Sequence, residues 1–155
     1  RGFLVAHDGV LAQLDAALVA ECEMTHAEYE VLSHLAESDD HRLRMNELAT
    51  LARLSPSGLT RRFDSLVRRG WVERERCDQD RRGVLAHLTA EGLARADAAR
   101  PVHDRVVQAH FVDVLGTEDV AELGRLTTVL AEANDPSAAE RVEGAEGEPA
   151  AQSPR

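Results

Sequence analysis

Short hydroxyl side chains and arginines share one face of a predicted helix between residues 55 and 70. Ser55 can cap the free amides of the first turn, Pro56 suits the first helical position, and Gly70 suits a helix end. At about 100° per residue, the polar face carries Ser57, Arg61, Asp64, Ser65 and Arg68, with Thr60 and Arg62 on its flanks. Hydroxyl and guanidinium groups can reach base edges and phosphates, so the pattern predicts a helix that enters the DNA major groove N-terminus first.

A second group of arginines lies in the charged segment 78–83, between two segments of strand composition at 71–77 and 84–89. A hairpin tip is thin enough to enter a minor groove, where the negative potential attracts guanidinium groups. We expect Arg82 to enter that groove, with Asp80 as a carboxylate partner and Arg81 beside it. Each arginine alone could be a solvated surface charge, but the set favours contact with DNA.

The surrounding elements are those that a DNA-reading helix needs for support. A short strand signal at Leu43–Met45 precedes a helix, a turn and the helix that begins at Pro56. The second helix has an apolar stripe at positions i, i+4, i+7 and i+8, formed by Leu59, Phe63, Leu66 and Val67. The order strand, helix, turn, helix and hairpin predicts a winged helix-turn-helix over about residues 43–89. The fold class is therefore mainly α with a small β wing.

These residues resemble the winged helix-turn-helix of the MarR family of bacterial transcription regulators. The resemblance is carried by Leu48-Ala49, Leu54-Ser55-Pro56-Ser57-Gly58-Leu59-Thr60-Arg61, Leu66…Gly70-Trp71-Val72-Glu73-Arg74 and Asp80-Arg81-Arg82…Leu88-Thr89…Gly92. It extends over about residues 1–133, although Asp78 stands where members often have proline. It implies a homodimeric repressor-type protein that binds a palindromic operator in double-stranded DNA and releases it when a small ligand or oxidant acts. The DNA contacts that it implies are Ser55, Ser57, Gly58, Thr60, Arg61, Arg62, Arg68, Asp80, Arg81 and Arg82.

The net charge of −10 is unevenly distributed along the chain. Residues 42–82 contain 11 arginines and 6 acidic residues, a local charge of +5, whereas residues 1–41 and 83–155 carry −8 and −7. Because phosphates respond to the local field, the acidic total does not exclude DNA binding.

Helices on both sides of this segment are expected to form a dimer. Apolar residues recur at helical spacing in residues 1–22 and 90–133, and Thr25 begins a capping box that ends at Glu28. Pro101 predicts a kink or break in the long second tract, and Thr117 is expected to cap the last helix. Their apolar surface exceeds what one small domain can cover, which favours a homodimer over a monomeric bundle. The acidic segment 134–155 is expected to be disordered.

The sequence gives little support for catalysis or for metal binding. It contains no Gly-rich phosphate loop, nucleophile elbow or paired-metal spacing, so neither an enzyme nor a cofactor is predicted. The seven histidines are scattered singly; a site of Cys22, His26 and His103 is conceivable, but surface or packing roles are favoured. Glu21 and Glu23 should raise the pKa of Cys22, and Cys77 suits strand packing, so no redox sensor is predicted.

The expected location is the cytoplasm. Two cysteines without a disulfide framework suit a reducing compartment. We find no stretch that approaches the roughly 20 apolar residues needed to span a membrane. The chain begins at Arg1 and already looks helical there, so residues are expected to be missing before it.

Members of the family commonly bind an effector where the dimer-forming helices meet the DNA-reading lobe. The residues expected to line such a crevice are His7, Leu11, Tyr29, Glu30 and His103, and they would suit a small aromatic or carboxylate-bearing molecule. The alternative function is a winged-helix protein–protein interaction module without DNA binding, which the same fold permits.

Overall fold

The computed structural model describes residues 1–76 and 84–134, which form seven α-helices and three β-strands, with a 3-10 turn at Asp39–His41 and a π-helical turn at Gln108–Val112. Two compact units divide the chain, the first from Arg1 to His110 and the second beginning at Phe111. In chain order the elements are α1 Gly2–Cys22, α2 His26–Glu37, β1 Arg42–Arg44, α3 Met45–Leu51, α4 Pro56–Arg68, β2 Val72–Arg76, β3 Val84–Leu88, α5 Ala90–Val107, α6 Asp113–Leu115 and α7 Thr117–Asn134.

The three strands form one antiparallel sheet in the order β1-β3-β2, which confirms the predicted strands and the wing topology. Arg42 and Glu73 both lie opposite His87, on either side of the central strand. Ala86 and Leu88 alternate with His87 and are buried on the other face. The sheet thus covers the helical core with one face and presents polar side chains on the other.

The predicted apolar stripe of α4 lies in the core of the first unit. Leu59, Phe63 and Leu66 are buried with Leu32 of α2 and Trp71, which precedes β2. Each such side chain stabilises the fold by roughly 1.5–3 kcal/mol when it leaves water. The burial of one stripe therefore fixes the rotation of α4 about its own axis.

The predicted capping box at the start of α2 is also confirmed. The Thr25 hydroxyl accepts a hydrogen bond from the Glu28 amide at 3.2 Å, and the Glu28 carboxylate accepts one from the Thr25 amide at 2.9 Å. Together these bonds satisfy two amides that the helix leaves without partners.

Length and composition alone would allow α1 to cross a membrane, because its best window has a mean hydropathy of 1.4. The sequence-based statement that no stretch approaches this composition was therefore wrong. One such helix is weak evidence for a membrane span, since helices of soluble cores share the same composition. In α1 only Leu14 and Leu18 are buried, 11% of the apolar window, although the helix packs against α2 and α5.

Two expectations about the C-terminal helices were wrong in detail. Of the kink or break predicted at Pro101, the break was wrong, because α5 runs through this residue. Ala99 and Val102 on either side of Pro101 are buried, and this packing offsets the backbone donor that proline removes. The irregular segment lies later, in a π-helical turn at Gln108–Val112. Thr117 is the first residue of α7 and not its cap. Apart from Asn134, which ends α7, the predicted acidic tail lies outside the described residues.

The junction between β3 and α5 leaves no room for a side chain at Gly92. Thr89 caps α5 by accepting a hydrogen bond from the Gly92 amide at 3.0 Å, and its hydroxyl lies 2.7 Å from the Gly70 carbonyl oxygen, to which it donates. A Cβ atom on Gly92 would lie 1.9 Å from the Trp71 carbonyl oxygen and 2.8 Å from Leu88 Cδ1. Since the first neighbour is backbone, the clash cannot be relieved by a rotamer change.

We therefore expect Gly92→Ala to destabilise the protein by about 3 kcal/mol or more, as for an overpacked core site. Thermal and urea unfolding followed by circular dichroism would measure the change. Gly9→Ala is the matched control, because a Cβ there meets no atom within 4 Å, and alanine should favour the helix by up to about 1 kcal/mol. Equal stabilities of the two variants would contradict this account of the junction.

Candidate nucleic-acid interface

The start of α4 is fixed by local contacts in the turn between α3 and α4. The Ser55 hydroxyl accepts a hydrogen bond from the Gly58 amide at 3.1 Å, as predicted, and Pro56 occupies the first turn. Before it, Arg53 adopts a positive φ of 51°, and the Leu54 amide donates to the Ala49 carbonyl oxygen at 2.9 Å. The turn therefore directs the N-terminal end of α4 by backbone geometry as well as by packing.

The side of α4 that faces away from the core carries the hydroxyl groups and arginines that the sequence placed there. Ser57, Thr60, Arg61 and Arg68 are exposed, whereas Arg62 is partly buried. The Thr60 hydroxyl donates to the Pro56 carbonyl oxygen at 2.8 Å, so its oxygen remains an acceptor while the side chain stays on the helix.

The arginines of α4 differ in whether the protein itself uses their guanidinium groups. Arg62 donates to the Gly58 carbonyl oxygen at 3.3 Å, which folds it back along its own helix. Among residues 1–76 and 84–134, no hydrogen bond or ion pair engages Arg61 or Arg68. These two lie seven residues apart on nearly the same side of the helix, about 10 Å along its axis. Their positive charges are available to an external anion.

A residue that the sequence reasoning missed lies beside this face. An open depression of ≈ 460 Å³ is lined by Arg53 together with residues of α4 and its cap, namely Leu54, Ser55, Ser57, Gly58, Arg61 and Arg62. Three arginines, Arg53, Arg61 and Arg62, are among its lining residues, and it lies at the positive end of the helix dipole. Helical periodicity could not identify Arg53, because it precedes the helix, although its position in the turn was a usable signal.

Another arginine, Arg74, connects the sheet to α4. Arg74 of β2 donates to the Asp64 carboxylate at 2.6 Å and lies over the ring of Phe63. This pair joins the wing strand to α4 and neutralises an acid on the predicted polar face of the helix. Asp64 is therefore directed toward the protein, and the outward side of α4 is more positive than its sequence suggests.

The base of the wing is held by a charged group on the outer face of the sheet. Arg42 of β1 reaches across β3 and donates to both oxygens of Glu75 on β2, at 2.8 and 3.3 Å. This guanidinium group lowers the pKa of Glu75 below its ordinary value. His87 lies between the two strands, 2.9 Å from Glu73 and 3.0 Å from Glu75. The tip that would carry Asp80, Arg81 and Arg82 lies outside the described residues.

The residues predicted to line an effector crevice are only partly brought together. Tyr29 is 4% exposed, and its ring stacks on His103 with centroids 4.9 Å apart. Glu30 lies beside them, 3.6 Å from His26. His7 is exposed and hydrogen-bonds its neighbour Asp8, while Leu11 is half-buried one turn later on α1. The structure thus brings together Tyr29, Glu30 and His103 from α2 and α5. The hydrogen bond of His7 is to its own neighbour on α1.

The expectation that the histidines are scattered singly is wrong for His26 and His103. Their rings stack with centroids 6.1 Å apart, although they are far apart in the sequence. Burial lowers the pKa of His26, which favours its neutral imidazole form. Cys22 is not part of this group, and burial raises the pKa of its thiol, with a further increase from Glu21. A raised thiol pKa is consistent with the prediction that Cys22 is not a redox sensor.

The topology, the capped outward helix and the three-stranded wing define a winged helix-turn-helix. A sequence model described as MarR family matches residues 23–83. Sco3205, a MarR family transcriptional regulator from Streptomyces coelicolor solved in complex with DNA, is 36% identical and superposes with a TM-score of 0.82. That similarity covers 88% of this chain and 89% of Sco3205. The chain belongs to the MarR family.

Two other relatives are similar over different parts of the chain. The transcriptional repressor YetL of Bacillus subtilis is 31% identical over 86 residues, which are 56% of this chain and 52% of YetL. The chain therefore matches about half of that relative's length. The structure of NadR in complex with 4-hydroxyphenylacetate is 27% identical, with a TM-score of 0.67 and coverage of 84% of this chain and 90% of NadR.

Proposed function

We propose that this protein is a sequence-specific DNA-binding transcriptional regulator of the repressor type, which acts in the cytoplasm and has no catalytic activity. The observation that carries the proposal is the outward side of α4, where Arg61 and Arg68 are exposed and their side chains have no hydrogen-bond or ion-pair partner among residues 1–76 and 84–134. A purely structural role does not require two arginines on the same side of one helix with no carboxylate partner among the described residues. The complex of Sco3205 with DNA supports the same function.

In this proposal Ser57, Thr60 and Arg61 read bases in the major groove. They lie in the first two turns of α4, which is the part of a recognition helix that reaches base edges. Arg61 would donate to guanine, and the Thr60 side chain suits a thymine methyl group. Contacts with phosphates would position the helix, and we assign them to Ser55, Gly58, Arg62 and Arg68. Arg62 belongs to this set because its side chain is held back toward Gly58.

A second copy of the chain is proposed to cover the apolar side chains left exposed at both chain ends. Val5 of α1 is 66% exposed and Leu130 of α7 is 63% exposed, in each case among further exposed aliphatic residues. We assign dimerisation to residues 1–22 and 90–133, and DNA reading to about residues 43–89. A symmetric pair of recognition helices matches a palindromic operator, because each half-site presents the same sequence to one protomer.

Arg61→Ala should weaken binding to the operator by about 1–3 kcal/mol and relax discrimination at one position in each half-site. Fluorescence anisotropy with the operator and with scrambled DNA would measure both affinities. Arg155→Ala is the matched control, because it removes the same charge from a position outside the residues assigned to DNA reading and to dimerisation. An equal loss on both DNAs would make Arg61 a phosphate contact only, and wild-type protein without DNA affinity would favour the interaction-module alternative.

The wing is proposed to add a minor-groove contact through Arg82, oriented by Asp80, with Arg81 near a phosphate. The double change Arg81→Ala with Arg82→Ala should weaken DNA binding and reduce its salt dependence, by about one unit of slope for each phosphate that the variant no longer neutralises. Affinity measured over a series of salt concentrations gives the slope. An unchanged affinity and slope would exclude a contribution from the wing.

A small aromatic or carboxylate-bearing effector is proposed to bind near Tyr29 and His103, with Glu30, His7 and Leu11 around it. The proposal is supported by the stacking of the Tyr29 and His103 rings where α2 packs on α5, which puts aromatic groups at this place. The complex of NadR with 4-hydroxyphenylacetate supports this class of ligand. A ligand there could change the separation of the two recognition helices, and half-sites about one helical turn apart tolerate little change.

The assignment is tested by titrating 4-hydroxyphenylacetate and benzoate into the free protein and into the operator complex. A metal chelator is present in both titrations. We expect tighter binding to the free protein by about 5–150-fold, because an effector acts only through unequal affinity for two states. His7→Gln and His103→Gln should reduce the difference, whereas His110→Gln at an exposed position should not. Equal affinities in the two titrations, or an unaltered response in both variants, would remove the effector from this place.

A further inference from the structure

Three side chains that can bind metals converge where α2 packs against α5. His26 and Glu30 lie one turn apart on α2, and His103 comes from α5. Each offers one ligand atom, and the three atoms lie within 4.8 Å of one another. All three side chains are partly buried, so this group differs from an exposed cluster of acids on a solvated surface.

We propose that His26, Glu30 and His103 form a binding site for a divalent transition metal ion of the zinc class. Two imidazole nitrogens and one carboxylate oxygen are a ligand set that zinc accepts, with a fourth position left for water or a ligand. Imidazole selects zinc, cobalt or nickel over magnesium and calcium, which prefer oxygen ligands. The spread of the ligand atoms requires only a small inward rotation of side chains to reach zinc–ligand distances of about 2 Å.

The surroundings of His103 fit a metal ligand better than a packing residue. Its Nδ1 atom lies 3.1 Å from the Asp104 carboxylate, so an Nδ1–H group donates there and leaves Nε2 as the metal-binding atom. Such carboxylate–histidine pairs orient metal ligands and raise their basicity. The ring of Tyr29 stacks on the imidazole and restricts its rotation.

The carboxylate of Glu30 is likewise placed for coordination. It lies 3.6 Å from His26 Nε2 and 3.7 Å from His34 Nε2, beyond ordinary hydrogen-bond length in both cases. The Nε2 atom of His34 is buried and has no hydrogen-bond partner among the described residues. A cation bound by Glu30, His26 and His103 would give this carboxylate a partner at closer range than either histidine of α2 provides.

A second group of potential ligands is less suitable. Glu73, Glu75 and His87 also bring three ligand atoms together on the outer face of the sheet. There, however, Arg42 already holds both oxygens of Glu75, so a metal would have to displace a guanidinium group. This group therefore serves as an internal comparison for the experiment.

The test uses the full chain without DNA, after treatment with a chelator and removal of the chelator. Zinc binding is measured by calorimetry, and cobalt binding by the visible absorption that a low-coordinate site with imidazole ligands produces. We expect one metal per chain at this site. His26→Gln and His103→Gln should each weaken zinc binding by more than about 10-fold, since even the removal of a group that only orients a metal ligand costs that much.

Two controls make the assignment specific. His110→Gln removes an exposed histidine from the turn after α5, and His87→Gln disrupts the comparison group; both should bind zinc as the wild type does. Glu30→Gln keeps the side-chain volume and should weaken binding even if His26→Gln fails to fold, which circular dichroism detects. Wild-type affinity in both His26→Gln and His103→Gln, or loss of binding in His87→Gln alone, would overturn the proposal. Because DNA is absent, neither result depends on the regulator function.

Discussion

Burial of the apolar stripe of α4 is the constraint on which the rest of the interface depends. Once Leu59, Phe63 and Leu66 enter the core, the helix has no freedom to rotate, and Thr60 and Arg61 on the opposite side must face solvent. A rotation that placed Arg61 inside would bury a charge and expose an aromatic ring at the same time. The same apolar contacts that stabilise the first unit therefore also orient the groups that would read DNA.

The charges around α4 are distributed by the same constraint. Arg74 forms an ion pair with Asp64 and lies over the ring of Phe63. The negative charge of Asp64, which would repel phosphates, is therefore neutralised. Arg42 and Glu75 join the outer strands across β3. These exposed pairs contribute little stability individually, but they determine which guanidinium groups stay available. A chain with a net charge of −10 can thus present a positive surface at one place.

The wing topology and the helix starts could be predicted because they rest on local signals. Ser55 and Thr25 cap helices through neighbours three residues away, and strand alternation fixed the buried face of β3. Arg53 was not identified as part of this surface, because helical periodicity gives no information about a residue in a turn. The break predicted as one possibility at Pro101 does not occur, since packing around Ala99 and Val102 outweighs the hydrogen bond that proline removes. The metal-binding group was judged from sequence spacing, which gives no distance between different helices.

The contact between His26 and His103 depends on the distance between α2 and α5, which the sequence spacing does not give. Neither residue has a distinctive sequence neighbourhood, yet the packing of α2 on α5 brings their rings together beside a carboxylate. Any ion or small molecule that binds there interacts with two helices at once. It would therefore favour one spacing of α2 and α5 over another, and α2 also packs on the recognition helix α4. The helix α2 therefore contacts both the helix that contributes His103 and the helix that carries the DNA-reading face.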